Sequence, residues 1–212
     1  MEVKSGGGKK RLLLIGLGIV LAIALLSLTY FKVIKKQNPQ INNKVVKNKD
    51  ESDPIASGYK WSGGPEDPKK IIIPKISVDN FIQQVGMNNK KEVAAPTNIY
   101  LAGWYNKSVR PGQKGLSIID GHLDGYTKPG IFNKLGSLST GDEYEVELGS
   151  GDKKKFRVLK VETVDTDKAV GVLFSQNLRV KSQLNLITCT GDYDKKQQAY
   201  NKRIVVSSEL IN

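Results

Sequence analysis

From Lys69 onward the chain is built of short runs rich in Ile, Val and Tyr, each cut off by Gly, Pro, Asn or Asp. That texture leaves little room for anything but a β fold. The candidate strands are residues 71–76, 81–85, 116–120, 144–148, 155–164, 184–189 and 203–210. Residues 143–148 and 154–164, joined by Gly149-Ser150-Gly151-Asp152, form the clearest hairpin. Only residues 131–135 and 169–178 have the makings of short helical turns. About 145 residues of this kind can enclose one core, so the expectation is a mostly-β barrel or sandwich.

A different kind of sequence precedes this domain. Residues 12–31, LLLIGLGIVLAIALLSLTYF, run for 20 positions without a charge. As a helix they would cross a hydrocarbon core of about 30 Å. Lys9, Lys10 and Arg11 stand in front, as in a secretory signal, but the one Ala-x-Ala, Ala22-Ile23-Ala24, lies inside the apolar run and not after it. The expectation is an uncleaved transmembrane signal anchor over 12–31, with 1–11 as its leading segment. Its orientation does not follow from charge, because Lys32, Lys35 and Lys36 make the far flank almost as basic as the near one. Residues 32–68 are polar and aperiodic and read as a flexible linker, leaving 69–212 as the globular domain. Of the net charge of +12, +7 falls in residues 1–60, which hold 11 of the 33 Lys and Arg and 4 of the 21 Asp and Glu. A basic excess gathered beside the apolar segment fits lipid as the partner of residues 12–31 and gives no support to nucleic-acid binding.

Within the domain, Cys189 is the only cysteine, so no intramolecular disulfide staples the fold. It ends the apolar run Leu184-Asn185-Leu186-Ile187-Thr188, and Thr190-Gly191-Asp192 then breaks that run, which puts the thiol at a strand end. Residues 191–202 read as a surface loop, after which Arg203 opens the neighbouring strand. A thiol and a guanidinium at adjoining strand ends suit thioester chemistry: the cation favours thiolate and can stabilise a developing oxyanion. The competing reading is a buried cysteine used as a small hydrophobe. The only histidine, His122, directly follows another apolar strand, Leu116-Ser117-Ile118-Ile119-Asp120, and can serve as the base or acid that a nucleophilic sulfur requires. Asp124 could orient that ring, or simply cap a turn before Gly125. Thr188 is a candidate substrate-positioning group, or an inward strand threonine bonded to backbone.

As a set these stretches resemble the sortase family, and within it the class F group. The family's T-L-x-T-C signature is matched by Asn185-Leu186-Ile187-Thr188-Cys189, with Asn185 in place of the first threonine. Its G-H-x-D element is matched by Gly121-His122-Leu123-Asp124, and the arginine of its final strand by Arg203. Class F character is carried by Ile73-Pro74 with Val85-Gly86, by Gly103-Trp104-Tyr105, by Arg110-Pro111-Gly112, and by the Leu-x-x-Leu-x-x-Gly-Asp that ends at Asp142. The resemblance implies an eight-stranded β-barrel with short helices, held outside a bacterial membrane by a single-pass anchor with Met1 cytoplasmic. It implies transpeptidation: a sorting signal similar to Leu-Pro-x-Thr-Gly is cut after Thr, and the acyl group passes to an amine of the cell envelope. His122, Cys189 and Arg203 would be catalytic, Thr188 and Asp124 would meet substrate, and residues 166–182 would build the sorting-signal groove.

Two other readings compete. One is a secreted cysteine peptidase whose thioester goes to water. The other is a membrane-tethered scaffolding module without activity, which the joint presence of His122, Cys189 and Arg203 disfavours. The sequence holds no His/Cys cluster with zinc spacing and no Asp-x-Asp-x-Asp-Gly loop, so no metal or other cofactor is expected.

Overall fold

The computed structural model describes residues 40–41, 50–86 and 92–212. The anchor expected at 12–31, its leading segment 1–11 and most of the linker before Asp50 lie outside the described residues. Among the described residues no helix is long and apolar enough to cross a membrane.

Eight strands close into a barrel. They are β1 (Pro68–Ile73), β2 (Val78–Val85), β3 (Ala102–Tyr105), β4 (Gly115–Gly121), β5 (Glu143–Leu148), β6 (Lys153–Asp165), β7 (Ser182–Asp194) and β8 (Ala199–Leu210). Around the barrel the order is β8-β6-β5-β1-β2-β3-β4-β7, with β7 closing on β8. The pairs β2–β3 and β4–β7 are parallel and the rest antiparallel. Among the described residues one α-helix, α1 (Thr166–Leu173), sits between β6 and β7. A two-residue parallel ladder joins Gln40–Ile41 to Glu92–Val93.

Period-two patterning builds the core. Ile71 and Ile73 of β1, Tyr144, Val146 and Leu148 of β5, and Phe156 and Val158 of β6 all turn inward. Tyr144 and Phe156 are cross-strand partners whose rings stack at 5.7 Å. Each such side chain contributes about 1.5–3 kcal/mol of hydrophobic stabilisation.

Four local features differ from the expectation. β3 is an additional strand; all four of its residues are buried, so it has no polar alternation to reveal it. The helix expected at 169–178 forms at Thr166–Leu173, and Phe174 closes it by donating to the Val170 carbonyl. The helical turn expected at 131–135 appears as a 3-10 turn at Leu135–Ser137. Finally, the polar stretch 191–202 is not a loop. β7 and β8 continue through it as a hairpin, with Tyr193 opposite Tyr200 and their rings 5.1 Å apart.

Residues 50–67, within the expected linker, are bonded to the barrel. Asp67 accepts from Arg110 Nε at 2.7 Å, Trp61 Nε1 donates to the Pro68 carbonyl at 3.3 Å, and Tyr59 packs on Phe81.

Candidate active site

Side-chain alternation decides which residues share a face. On β4, β7 and β8, Ile119, Leu186 and Val206 belong to the barrel core, whereas Ile118, Ile187 and Val205 join Tyr105 and Leu173 in a second apolar cluster on the outer side. One period further along each strand, Asp120, Cys189 and Arg203 therefore share that outer side. The register brings them together: Arg203 is the direct partner of Cys189, and Asp120 that of Ile187. The parallel β4–β7 ladder ends at Asp120 and Ile187, and His122 follows two residues after Asp120. The Thr188 hydroxyl donates to the Gly121 carbonyl at 2.8 Å and ties the two strands together at that point.

His122 follows β4 directly and is buried. Its Nε2 lies 2.8 Å from the Pro96 carbonyl. A carbonyl only accepts, so Nε2 carries a hydrogen and, in the neutral ring, Nδ1 holds the free lone pair. The backbone behind the ring is confined. The Phe132 amide donates to the His122 carbonyl at 3.0 Å, and a Cβ on Gly130 would come within 2.4 Å of that same oxygen.

Arg203 is 2% exposed. Its Nη1 donates to the carbonyls of Lys202 and Tyr200 at 2.8 and 2.9 Å and to Thr166 Oγ1 at 3.0 Å. Its Nη2 is buried and has no partner among the described residues. A desolvated donor on a charged group costs about 1–3 kcal/mol or more when unpaired, so this arrangement stores capacity for an acceptor brought by a ligand.

Burial pushes the Cys189 thiol up to about 12; the Arg203 charge pulls it down, and Asp120 and Asp124 push it up. In this state the thiol is protonated at neutral pH. Burial likewise raises the Asp120 carboxyl above its usual range, while His122 and Arg203 act in the opposite direction.

Of the residues singled out from the sequence, Cys189 and Arg203 are direct partners on β7 and β8, and His122 follows the end of the neighbouring β4 at the same corner of the barrel. Thr188 is fully buried, with its hydroxyl bonded to Gly121. Asp124 accepts a hydrogen bond from the Tyr200 hydroxyl, joining the segment after His122 to β8. The strand-end placement of Cys189 is corrected: β7 runs on to Asp194, and β8 begins at Ala199, before Arg203. The corner is formed where β4 stops at Gly121 while its neighbour continues.

Sequence reasoning missed Asp120, Thr166, Tyr200 and the Pro96 carbonyl. Asp120 had a signal, a carboxylate two residues after Ile118 in an apolar strand. The carbonyl had none. Asn185, where the first threonine of the signature would stand, is fully buried and donates to the Leu173 carbonyl at 2.7 Å. With Gln183, which donates to the Ser175 carbonyl at 2.9 Å, it fastens the end of α1 to the strand that bears the cysteine.

The closed β-barrel thus carries Cys189 and Arg203 as neighbours on its outer wall, with His122 just past the end of the adjoining strand. The chain matches the family model of the sortase domain over residues 71–211, and it belongs to the sortase family of cysteine transpeptidases. Its fold is similar to that of a class D sortase transpeptidase from Clostridium perfringens, at 23% identity over 69% of this chain and 79% of that one, with a TM-score of 0.50. It is similar also to sortase C-1 of Actinomyces oris, at 20% identity over 82% and 88% of the two chains and a TM-score of 0.54. Sortase A of Corynebacterium diphtheriae shares 18% identity over 89% and 82%, with a TM-score of 0.53. No match is found among curated proteins.

Proposed function

We propose that this sortase is of class F type and that it cleaves a sorting signal similar to Leu-Pro-x-Thr-Gly between Thr and Gly, passing the acyl group to an amine of the cell envelope. The observation that carries the mechanism is the register that makes Arg203 the direct strand partner of Cys189, together with Nη2, a buried donor without a partner among the described residues on a guanidinium whose other end is anchored. The proton of the Cys189 thiol passes to Nδ1 of His122, and the thiolate adds to the Thr carbonyl carbon. Arg203 Nη2 donates to the resulting oxyanion. As the C–N bond breaks, the imidazolium returns its proton to the departing glycine amine, and the acyl group is left as a thioester on Cys189. An incoming amine then gives its proton to His122, forms the new amide and releases the thiol. Asp124 flanks this path from the segment after His122 as a substrate-contacting residue, whereas Thr188, buried on the opposite face of β7 with its hydroxyl on Gly121, holds the strand and does not meet substrate.

The apolar run 12–31 supports a single-pass anchor, and the resemblance to sortases supports a bacterial membrane with the barrel on the outer side. The test incubates the protein with a Leu-Pro-x-Thr-Gly peptide library, with and without candidate amines, and follows products by mass spectrometry. Acid quenching before amine is added should trap an adduct on Cys189 with the mass of the N-terminal fragment. Turnover in Cys189→Ala, or release of free acid only in the presence of every amine, would sink the reading.

A further inference from the structure

His122 is gripped by two loops that are distant in sequence. Residues 94–101 supply the Pro96 carbonyl that receives Nε2–H, and residues 122–131 begin with the histidine itself. The first loop is backed by β3, since a Cβ on Gly103 would meet the Pro96 ring at 2.9 Å. The loops touch each other once through backbone, where the Ile131 amide donates to the Ile99 carbonyl at 2.8 Å. Beyond that contact, a segment ahead of the barrel, residues 50–52, bonds to both. On the first loop, the Ile99 amide donates to the Asp50 carbonyl at 3.1 Å and Asn98 Nδ2 donates to the Ser52 carbonyl at 2.9 Å. On the second, the Glu51 carboxylate takes the Thr127 amide at 2.8 Å on one oxygen and the Thr127 hydroxyl on the other, while Lys128 Nζ donates to the Glu51 carbonyl. Gly125 leaves room for that carboxylate, because a Cβ there would fall 2.3 Å from Glu51 Oε1.

We infer that residues 50–52 form a strap that sets the position of the His122 imidazole by fixing the loop it belongs to against the loop that holds its Nε2–H, with Glu51 as the positioning residue. None of the strap's own bonds reaches Cys189 or Arg203, so its direct hold is on the two loops around the histidine. Its effect on turnover rests on the role given to His122 above. Its effect on the ring itself does not.

The ring can be read directly, because the chain has one histidine and its imidazole resonances need no assignment. In full-length, tag-free, 15N-histidine-labelled protein in detergent, Glu51→Ala and Thr127→Val should each speed solvent exchange of the Nε2 hydrogen by about tenfold or more. Glu51→Gln offers one acceptor to the Thr127 amide and one donor to its hydroxyl, so it should stay within about twofold of wild type. Unchanged exchange in both Glu51→Ala and Thr127→Val overturns the strap. Turnover of a Leu-Pro-x-Thr-Gly peptide is followed alongside. Glu51→Ala should lose about tenfold in kcat with KM within about twofold of wild type, a fraction of the 10²–10⁴ that a general acid supplies, and Glu51→Gln should restore it. A loss carried by KM, or one that Glu51→Gln does not restore, overturns the positioning role. His122→Ala is measured alongside: if it retains peptide turnover, the assignment of His122 fails, and the exchange measurement still decides the strap.

Discussion

Replacing Arg203 by lysine keeps the charge and removes the fork, which separates the two things the guanidinium does. Nη1 makes three hydrogen bonds between 2.8 and 3.0 Å, to Thr166 Oγ1 and the carbonyls of Tyr200 and Lys202. A lysine ammonium has three donors and can replace those bonds, but then nothing remains in the place of Nη2. The thiol should notice little, because the positive charge that lowers its proton affinity is still present. The tetrahedral oxyanion should notice a great deal. Loss of one oriented donor in a water-poor site costs about 2.7–4 kcal/mol, a factor of about 10²–10³ in the acylation rate. The assay is single-turnover formation of the Cys189 thioester, quenched in acid and quantified by mass, with the alkylation rate of Cys189 as the measure of thiol state. The expected result is acylation slowed at least a hundredfold with alkylation within a few-fold of wild type. Acylation within tenfold of wild type in a well-folded Arg203→Lys would refute the role assigned to Nη2.

Two further outcomes follow from the charges around the thiol. Since burial holds Cys189 near 12, iodoacetamide should react with the free enzyme at pH 8 more than a hundredfold slower than with a free thiol of pKa about 8.5, and the rate should still be rising above pH 9. Asp120 is raised in the folded state, so the folded chain binds this proton more tightly than the unfolded chain does. The associated stability is complete below the unfolded value of about 3.9 and is lost as pH rises through the folded value. Urea midpoints for Asp120→Asn should therefore fall less between pH 4 and pH 7 than those of wild type, and an identical fall would show that the carboxyl titrates as in the unfolded chain. The same variant should alkylate faster at pH 8, because a charge that opposes thiolate is gone.

Strands with one face in the barrel core were legible because alternation is imprinted on their residues, as in Tyr144, Val146 and Leu148 of β5. β3 was not, because Ala102, Gly103, Trp104 and Tyr105 are enclosed on both faces and alternate in nothing. The hairpin of residues 191–202 was hidden for the opposite reason. It stands clear of the barrel core and is held by its own pairs, Tyr193 with Tyr200 and Asp192 with Asn201, and by the bond from Tyr200 to Asp124. His122, Cys189 and Arg203 could be picked out as single residues of reactive type beside apolar runs. What holds them could not. The Pro96 carbonyl is a group every residue carries, and Glu51 reaches Thr127 across 76 positions of sequence.

The parallel pairing of β4 with β7 also fixes when the site comes into being. Gly115–Gly121 and Ser182–Asp194 are separated in sequence by the β5–β6 hairpin and α1, so forming the ladder closes a long loop of chain. Such distant pairings make slow folders, in the range of milliseconds to seconds, because chain entropy is lost before the contact gives anything back. Until that closure Cys189 is an ordinary solvent-facing thiol with ordinary nucleophilicity, and afterwards it is shielded. Chemical silence of the sulfur thus serves as a clock: a brief pulse of alkylating agent during refolding marks the molecules whose barrel is still open.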